Sequence, residues 1–220
     1  MTELEAAQKF KVELNKLDRA SLVDVRLEKI VHYLNKATLF LVKRKYKGEE
    51  AGPGRLDIMH PVLDDLKSLI VEGTLEAGDG GNGSTPILLF DDLLYFMAAR
   101  VKTVAVSGNT TTSAFHEGRF VKPERVYKEL DSPFNRSRVD DPMITIQDNK
   151  LIIYNTDFDL DDDVIVKYLK TPTVMTGGAT TVTLPFIDEI IDVAITMAIE
   201  NIESDRVKTQ PKINVASASE

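Results

Sequence analysis

The segment from Pro185 to Arg206 carries the most regular pattern in the chain, and it predicts a long amphipathic helix. Its apolar residues recur at spacings of three and four, which places them on one helical face. Asp188 and Glu189 put negative charge near the positive end of the helix dipole, and Pro185 suits a first turn. Such a wide stripe has to be buried against another element. Its members are Ile187, Ile190, Ile191, Ala194, Met197, Ala198 and Ile202.

Two further helices are predicted in the first third of the chain. One begins near Ser21, which with Asp24 resembles a capping box, and reaches about Tyr46 before Gly48. The second begins at about Asp57 or Pro61 and reaches Val71, with apolar residues again at helical spacing.

The middle of the chain changes to the alternating period of strands. Ile144 and Ile146 alternate, Asp148-Asn149 is a turn pair, and residues 151–154 form a return strand, so a hairpin is predicted. A strand is expected at the end of the run 87–107, and another from Val164 to Pro172. A short helix is predicted near Lys122–Leu130.

This order predicts an α+β fold, in which N-terminal and C-terminal helices form a helical bundle around a small inserted antiparallel β unit. The tail after Arg206 loses the helical pattern and is predicted to be extended. The expected parts are an N-terminal helical part (1–77), a flexible Gly-rich loop (78–86), a mixed β-rich insertion (87–183), a closing helix (184–206) and an extended C-terminal arm (207–220).

Composition excludes several classes of protein. There is no cysteine, so disulfides, Cys-ligated zinc and thiol catalysis are excluded. With a net charge of −8, the chain does not hold duplex DNA by summed basic charge. The charged start lacks the apolar core of a signal peptide, and no run of 18 apolar residues occurs. We therefore expect an acidic, soluble protein of a reducing compartment.

The acidic run from Asp157 to Asp163 has the spacing of a calcium loop, since Asp157, Asp159 and Asp161 could converge on a hard cation. The glycine expected at position six is Asp162, however, and the glutamate expected at position twelve is Tyr168. A solvated turn before a strand is the favoured interpretation. The alternative, a metal- or calcium-binding module or hydrolase using Asp157, Asp159, Asp161 and Asp163, stays open.

No catalytic constellation is found elsewhere. The loop Gly78 to Ser84 has phosphate-loop spacing but lacks the lysine that would meet the phosphates. His32, His60 and His116 lie far apart, without a neighbour at metal-ligand spacing. We expect no enzymatic activity and no cofactor.

Charge is unevenly spread, because residues 1–47 hold 11 basic and 6 acidic side chains. The basic cluster Lys43-Arg44-Lys45-Tyr46-Lys47, with Lys43, Arg44 and Lys45 as the candidate contacts, could meet nucleic acid or an acidic partner subunit. At a helix end it also complements the dipole, which is the ordinary explanation.

Two blocks of the sequence carry recognisable motifs. The first is VHYLNKATLFLVKRKYKG (31–48) followed by LDDLKSLIV (63–71), and the second is LPFIDEIIDVAITMAIENIESDR (184–206), which follows a strand ending at Pro172. Together they cover about a third of the chain. In their residues and their order they resemble structural proteins of crAss-like bacteriophages, in which an arginine stands at the position of Lys67.

The resemblance implies a virion protein of the head-to-tail connector, at the portal vertex, neck or tail, made in the host bacterial cytoplasm. Such subunits form closed rings of about twelve copies, dock on the portal or a neighbouring ring, and pass DNA through the lumen without binding it specifically. Partner contacts are then expected at the basic helix end and in the C-terminal arm. The arm residues concerned are Lys208, Lys212, Ile213 and Val215.

Overall fold

The computed structural model describes residues 1–17, 25–47, 64–76, 83–107, 110–155 and 158–217, without the side chains of residues 17, 105–107, 110, 161, 162 and 203–217. The chain divides into two compact units. The terminal unit comprises Met1–Ser68 and Pro172–Glu220, and the central unit is the continuous segment Leu69–Thr171. The fold is α+β, as the sequence predicts.

The terminal unit contains helices α1 (Glu3–Leu17), α2 (Leu27–Lys47) and α4 (Ile187–Ser217). Each of these helices contacts the other two. The stripe predicted for α4 is buried at Ile190, Ile191, Ala194 and Ala198, and its opposite face is exposed. The apolar side chains of α1 and α2 that are also buried are Ala6, Ala7, Phe10, Leu14, Ile30, Leu34, Ala37, Leu41 and Val42.

Helix α1 was not expected from the sequence, although its start carries a capping box. The Thr2 N–H donates to Glu5 Oε2 at 2.8 Å, and the Glu5 N–H donates to Thr2 Oγ1 at 3.2 Å. This reciprocal pair satisfies backbone donors that the first turn leaves without partners. Helix α2 begins at Leu27, six residues later than expected; Ser21, Asp24 and Gly48 lie outside the described residues.

The central unit consists of two four-stranded sheets. The first sheet has the order β1-β8-β3-β4, from β1 (Ile70–Glu76), β3 (Leu93–Ser107), β4 (Thr110–Glu117) and β8 (Asp159–Lys170), all antiparallel. The second has the order β2-β7-β6-β5, from β2 (Ser84–Leu88), β5 (Arg119–Phe120), β6 (Met143–Gln147) and β7 (Lys150–Tyr154). The short strand β5 pairs with β6 in parallel, so this unit is larger than predicted and not wholly antiparallel.

One apolar core joins the inner faces of both sheets. Ala99, Val101, Val164 and Val166 come from the first sheet, and Ile144 with its neighbours comes from the second. Since successive strand residues point to opposite faces, Met143 lies on the outer face of the second sheet. There it packs with Val121 and Val126, the latter from the short helix α3 (Val126–Leu130). The short helix predicted at Lys122–Leu130 is present, with a 3-10 turn at Pro123–Arg125 before α3.

The predicted hairpin is confirmed as β6 and β7. Asp148 and Asn149 have φ angles of 52° and 59°, the left-handed conformation that a two-residue hairpin turn needs at both positions. This backbone matches the twist of the flanking strands, and Asp and Asn adopt it more readily than other non-glycine residues.

Two predictions on local structure are wrong. The helix expected up to Val71 ends earlier: residues 64–66 are helical, a 3-10 turn covers Lys67–Leu69, and Ile70 and Val71 belong to β1. The extended arm expected from residue 207 is helical as far as Ser217, because α4 continues through it. The first of these errors arose because a short apolar run is compatible with both the helical and the strand period. Residues 70–76 form a strand because they pair with β8.

Candidate functional site

The basic end of α2 is the candidate partner surface, and its cations differ in exposure. The side chains of Lys43, Arg44 and Lys47 are exposed, whereas Lys45 is only 5% exposed. The helix turns by about 100° per residue, so Lys45 faces inward while its neighbours face solvent. The predicted cluster therefore contains two kinds of residue with separate roles.

Lys45 is the centre of an ion network inside the terminal unit. Its Nζ lies 3.0 Å from Asp65 Oδ2 and 3.0 Å from Glu189 Oε2. The same ammonium stands 5.1 Å from the ring centroid of Phe186, within the range of a cation–π contact. Lys45 thus links α2, the turn at Asp65 and the first turn of α4, and it is not a surface contact as the sequence suggested.

The ionisation of Lys45 follows from these neighbours. Burial alone would lower the pKa of Lys45, because the low-dielectric interior disfavours charge. Hydrogen bonds to Asp65 and Glu189 and the attraction of both carboxylates outweigh burial and raise that pKa above its ordinary value. The cation is therefore firmly held, which suits a structural link and not a proton-transfer group.

A second link joins α2 to the segment that precedes α4. The Asn35 Nδ2 donates to the Met175 carbonyl at 2.9 Å, and the Met175 N–H donates to Asn35 Oδ1 at 2.7 Å. A separate contact also joins α2 to α4, since the Tyr33 hydroxyl accepts a hydrogen bond from Asn201 Nδ2 at 3.3 Å. The contact between Tyr33 and Asn201 connects the two blocks that carry the family resemblance.

Glu3 occupies an anion-binding turn made by residues 176–178. Its Oε2 accepts backbone N–H bonds from Thr176 at 2.8 Å, Gly177 at 2.8 Å and Gly178 at 3.1 Å, and the Thr176 hydroxyl lies at 3.3 Å. Gly177 has a φ of 84°, a conformation that glycine adopts without strain. Successive backbone N–H groups in such a turn form a concave nest for an anion.

The nest also sets the ionisation of Glu3. Burial alone would raise the pKa of this carboxyl, but the backbone hydrogen bonds and the Thr176 hydroxyl outweigh it and lower the pKa below its ordinary value. Glu3 is therefore a charged anchor that fastens the start of α1. The nest is filled by the chain itself.

The predicted residues of the C-terminal arm are located only by their backbone. Lys208, Lys212, Ile213 and Val215 all belong to α4. Their side chains lie outside the described part of the structure, so this prediction stays a prediction.

The acidic run is placed mostly on a strand. Asp157 lies outside the described residues, whereas Asp159 begins β8 and Asp161 and Asp163 follow in it. Asp163 Oδ2 is 3.6 Å from Lys102 Nζ. Within the residues that the structure describes, no group of three metal-ligating side chains comes together.

The Gly-rich segment is partly strand. Its first residues lie outside the described ranges, Gly83 is a turn residue, and Ser84–Pro86 belong to β2, an edge strand on which proline is tolerated. Among the histidines, His32 is exposed beside the Tyr33 ring and His116 lies on β4; His60 falls outside the described residues.

Sequence reasoning missed Glu3, Asn35 and Phe186 as structural links. The T-x-x-E pattern at Thr2–Glu5 could have revealed α1, and with it a glutamate in a first turn. No local pattern could have paired Asn35 with Met175, which is 140 residues away.

In the ranges that the structure describes, no helix is both long and apolar enough to cross a membrane. Compared with models of known protein families and with curated proteins, the sequence matches none of them.

Proposed function

We propose that this chain is a virion structural protein, a subunit of an oligomeric ring in a bacteriophage head-to-tail connector. The ring docks on the portal or on an adjacent ring and continues the DNA channel. The protein has no enzymatic activity in this proposal, and its site is the virion neck or tail, after synthesis in the host cytoplasm.

One observation carries the proposal: the residues quoted for the family resemblance contact one another. Lys45 comes from the first block, Asp65 from its DDL segment and Glu189 from the closing block, and all three meet at Lys45 Nζ. Tyr33 and Asn201 join the same two blocks. A resemblance by chance would not be expected to select side chains that bond to each other across the fold.

The finer architecture belongs to the same proposal. Helices α1, α2 and α4 form the bundle from which the ring is built, and the sequence of the central unit is inserted between α2 and α4. A closed ring of about twelve copies needs two different contact surfaces on each subunit. The net charge of −8 fits a lumen that repels phosphates and lets DNA slide.

The proposed contacts to the portal or a neighbouring ring lie at the basic end of α2 and in the C-terminal part of α4. The residues concerned are Lys43, Arg44, Lys208, Lys212, Ile213 and Val215. The experiment is size-exclusion chromatography with light scattering, on the purified chain with and without the portal of the same phage. We expect a portal-bound ring. A variant lacking residues 207–220 should fold and fail to join, whereas a variant lacking only 218–220 should still join.

A chain that ignores the portal and is absent from purified virions would contradict the proposal. Mass spectrometry of virions gives that second readout without depending on conditions for reconstitution. A truncated chain that joined the portal normally would remove the C-terminal contact and leave the rest of the proposal intact.

A further inference from the structure

Three aromatic side chains of the central unit are exposed within one short segment. Phe134 is 84% exposed, Tyr127 80% and Phe120 50%. The segment Arg119–Arg138 also holds six basic and three acidic residues, in a chain whose net charge is −8. Phe120 points toward the inner face of the sandwich, because β5 pairs it with Ile144 and its ring contacts Phe96. We call the other exposed aromatic and basic side chains of the segment the basic–aromatic surface: Lys122, Arg125, Tyr127, Lys128, Phe134, Arg136 and Arg138.

The backbone beneath this surface is held firmly. Arg119 Nε donates to Asp141 Oδ2 at 2.7 Å, and its Nη2 donates to the Asn135 carbonyl. The buried Ser137 Oγ accepts the Met143 N–H at 2.8 Å. The aromatic rings are thus displayed on a preorganised loop, which lowers the entropy cost of binding.

The surface lies on one side of the sandwich. Helix α3 covers the outer face of the second sheet through Val126 and Met143, and the following turn is bonded to β5 through Arg119. Aromatic and arginine side chains are the residue types that dominate the centres of protein interfaces.

The outer face of the first sheet is acidic at one end. On β1, Glu72 and Glu76 alternate with core residues and therefore point away from the sandwich core. On β8, Asp159 and Asp163 do the same. Glu76 and Asp163 stand directly opposite each other, an unfavourable pair of like charges. Arg100 Nη2 lies 3.6 Å from Glu72 Oε2, and Lys102 Nζ lies 3.6 Å from Asp163 Oδ2. We call the exposed carboxylates Glu76 and Asp159 the acidic end.

From these observations we infer that the basic–aromatic surface binds the acidic end of a second copy of this chain. The two surfaces carry opposite charge and belong to outer faces of different sheets, so the contact is head-to-tail. Repetition of a head-to-tail contact generates a ring when the rotation closes. The inference rests on the proposed ring function and names its subunit contact.

Two variants of the full chain test it. Tyr127→Ser with Phe134→Ser disables one surface, and Glu76→Lys with Asp159→Lys disables the other. Val174→Ser and Glu200→Lys, exposed positions of the terminal unit, are the matched controls. Circular dichroism and urea unfolding must show that every variant folds as the wild type does.

Sedimentation equilibrium should show wild-type self-association that weakens several-fold between about 0.05 M and about 0.5 M NaCl, because salt screens exposed charges. Each double variant should weaken it by about tenfold or more, and the controls should not. Mixed together, the two double variants should form a 1:1 complex and nothing larger, since each retains one intact surface.

A wild-type chain that stays monomeric, or a double variant that associates like the wild type, would overturn the inference. Normal association of the Glu76→Lys, Asp159→Lys variant alone would instead indicate a symmetric contact, which also overturns it. Portal binding and presence in virions test the proposed function separately, so a portal-binding chain without this contact refutes only the inference.

Discussion

The Asn35 side-chain amide pairs with the backbone of Met175 through two hydrogen bonds, as a second peptide group would. Asn35 Nδ2 donates to the Met175 carbonyl at 2.9 Å, and the Met175 N–H donates to Asn35 Oδ1 at 2.7 Å. Because Met175 is buried, water has little access to its N–H and carbonyl and cannot readily replace Asn35 as their hydrogen-bond partner. The segment between the central unit and α4 is thereby fastened to α2.

Replacement of Asn35 by alanine should therefore destabilise the protein. Two hydrogen bonds are lost and a buried donor and acceptor are left without partners, so we expect a loss of about 1–3 kcal/mol in the free energy of unfolding. Urea unfolding followed by circular dichroism measures it. Asn201→Ala, which removes a single exposed contact to Tyr33, is the control and should cost no more than about 0.5 kcal/mol.

The two neighbouring lysines of α2 should respond differently to the same change. Lys45→Met keeps the aliphatic stem but removes the cation from Asp65 and Glu189, and we expect a loss of about 1–3 kcal/mol. The loss stays below that of a fully buried pair because both carboxylates are half exposed and can be hydrated. Lys43→Met should leave stability nearly unchanged; equal effects of the two variants would argue against the network.

Glu3 should make stability depend on pH in the acid range. Its pKa in the native protein is lowered from the ordinary 4.5, so its contribution is complete above pH 4.5. As the pH falls below that value, the unfolded chain takes up the proton first, and the contribution disappears as the pH passes through the lowered native pKa.

Glu3→Gln tests this in urea unfolding series between neutral and acid pH. The variant should be less stable by about 1–2 kcal/mol at neutral pH, and this difference should shrink below pH 4.5. Glu200→Gln removes an exposed carboxylate of the same unit and is the control. A difference from wild type that grows in acid would show that the nest does not favour the charged form.

The turn between β6 and β7 offers a stabilising change. Asn149 has a φ of 59°, which glycine adopts without steric cost, so Asn149→Gly should raise the free energy of unfolding by a few tenths to about 1 kcal/mol. Asn149→Val should lower it, because a β-branched side chain is strained at positive φ. The midpoint of urea unfolding distinguishes these directions, and equal midpoints for both variants would contradict the turn geometry.

The parts predicted correctly from the sequence are those that local periodicity determines. The stripe of α4, most of α2 and the hairpin around Asp148-Asn149 each repeat a helical or strand period over enough residues to be recognised. Strand β4 was missed because its residues are Thr-rich and exposed, so no apolar alternation marks it. It is defined by its pairing with β3, which a local pattern does not contain.

The candidate site was predictable only in part for the same reason. The basic cluster at Lys43–Lys45 is visible in the sequence, but the inward direction of Lys45 depends on Asp65 and Glu189. Glu3 likewise looks like one acidic residue among several until the turn at residues 176–178 closes around it. Long-range partners decide these roles.

The division of the chain into a continuous central unit and a discontinuous terminal unit affects the order in which they can fold during synthesis. The central unit is one continuous segment, Leu69–Thr171, so all the strands that pair in its two sheets are present once that segment has left the ribosome. The terminal unit needs α1 and α2 from before that segment and α4 from after it, so these two early helices wait with uncovered apolar faces until α4 is synthesised. Translation therefore completes the links at Lys45, Asn35 and Glu3 last, and a subunit bearing a finished terminal unit exists only once its α4 has emerged.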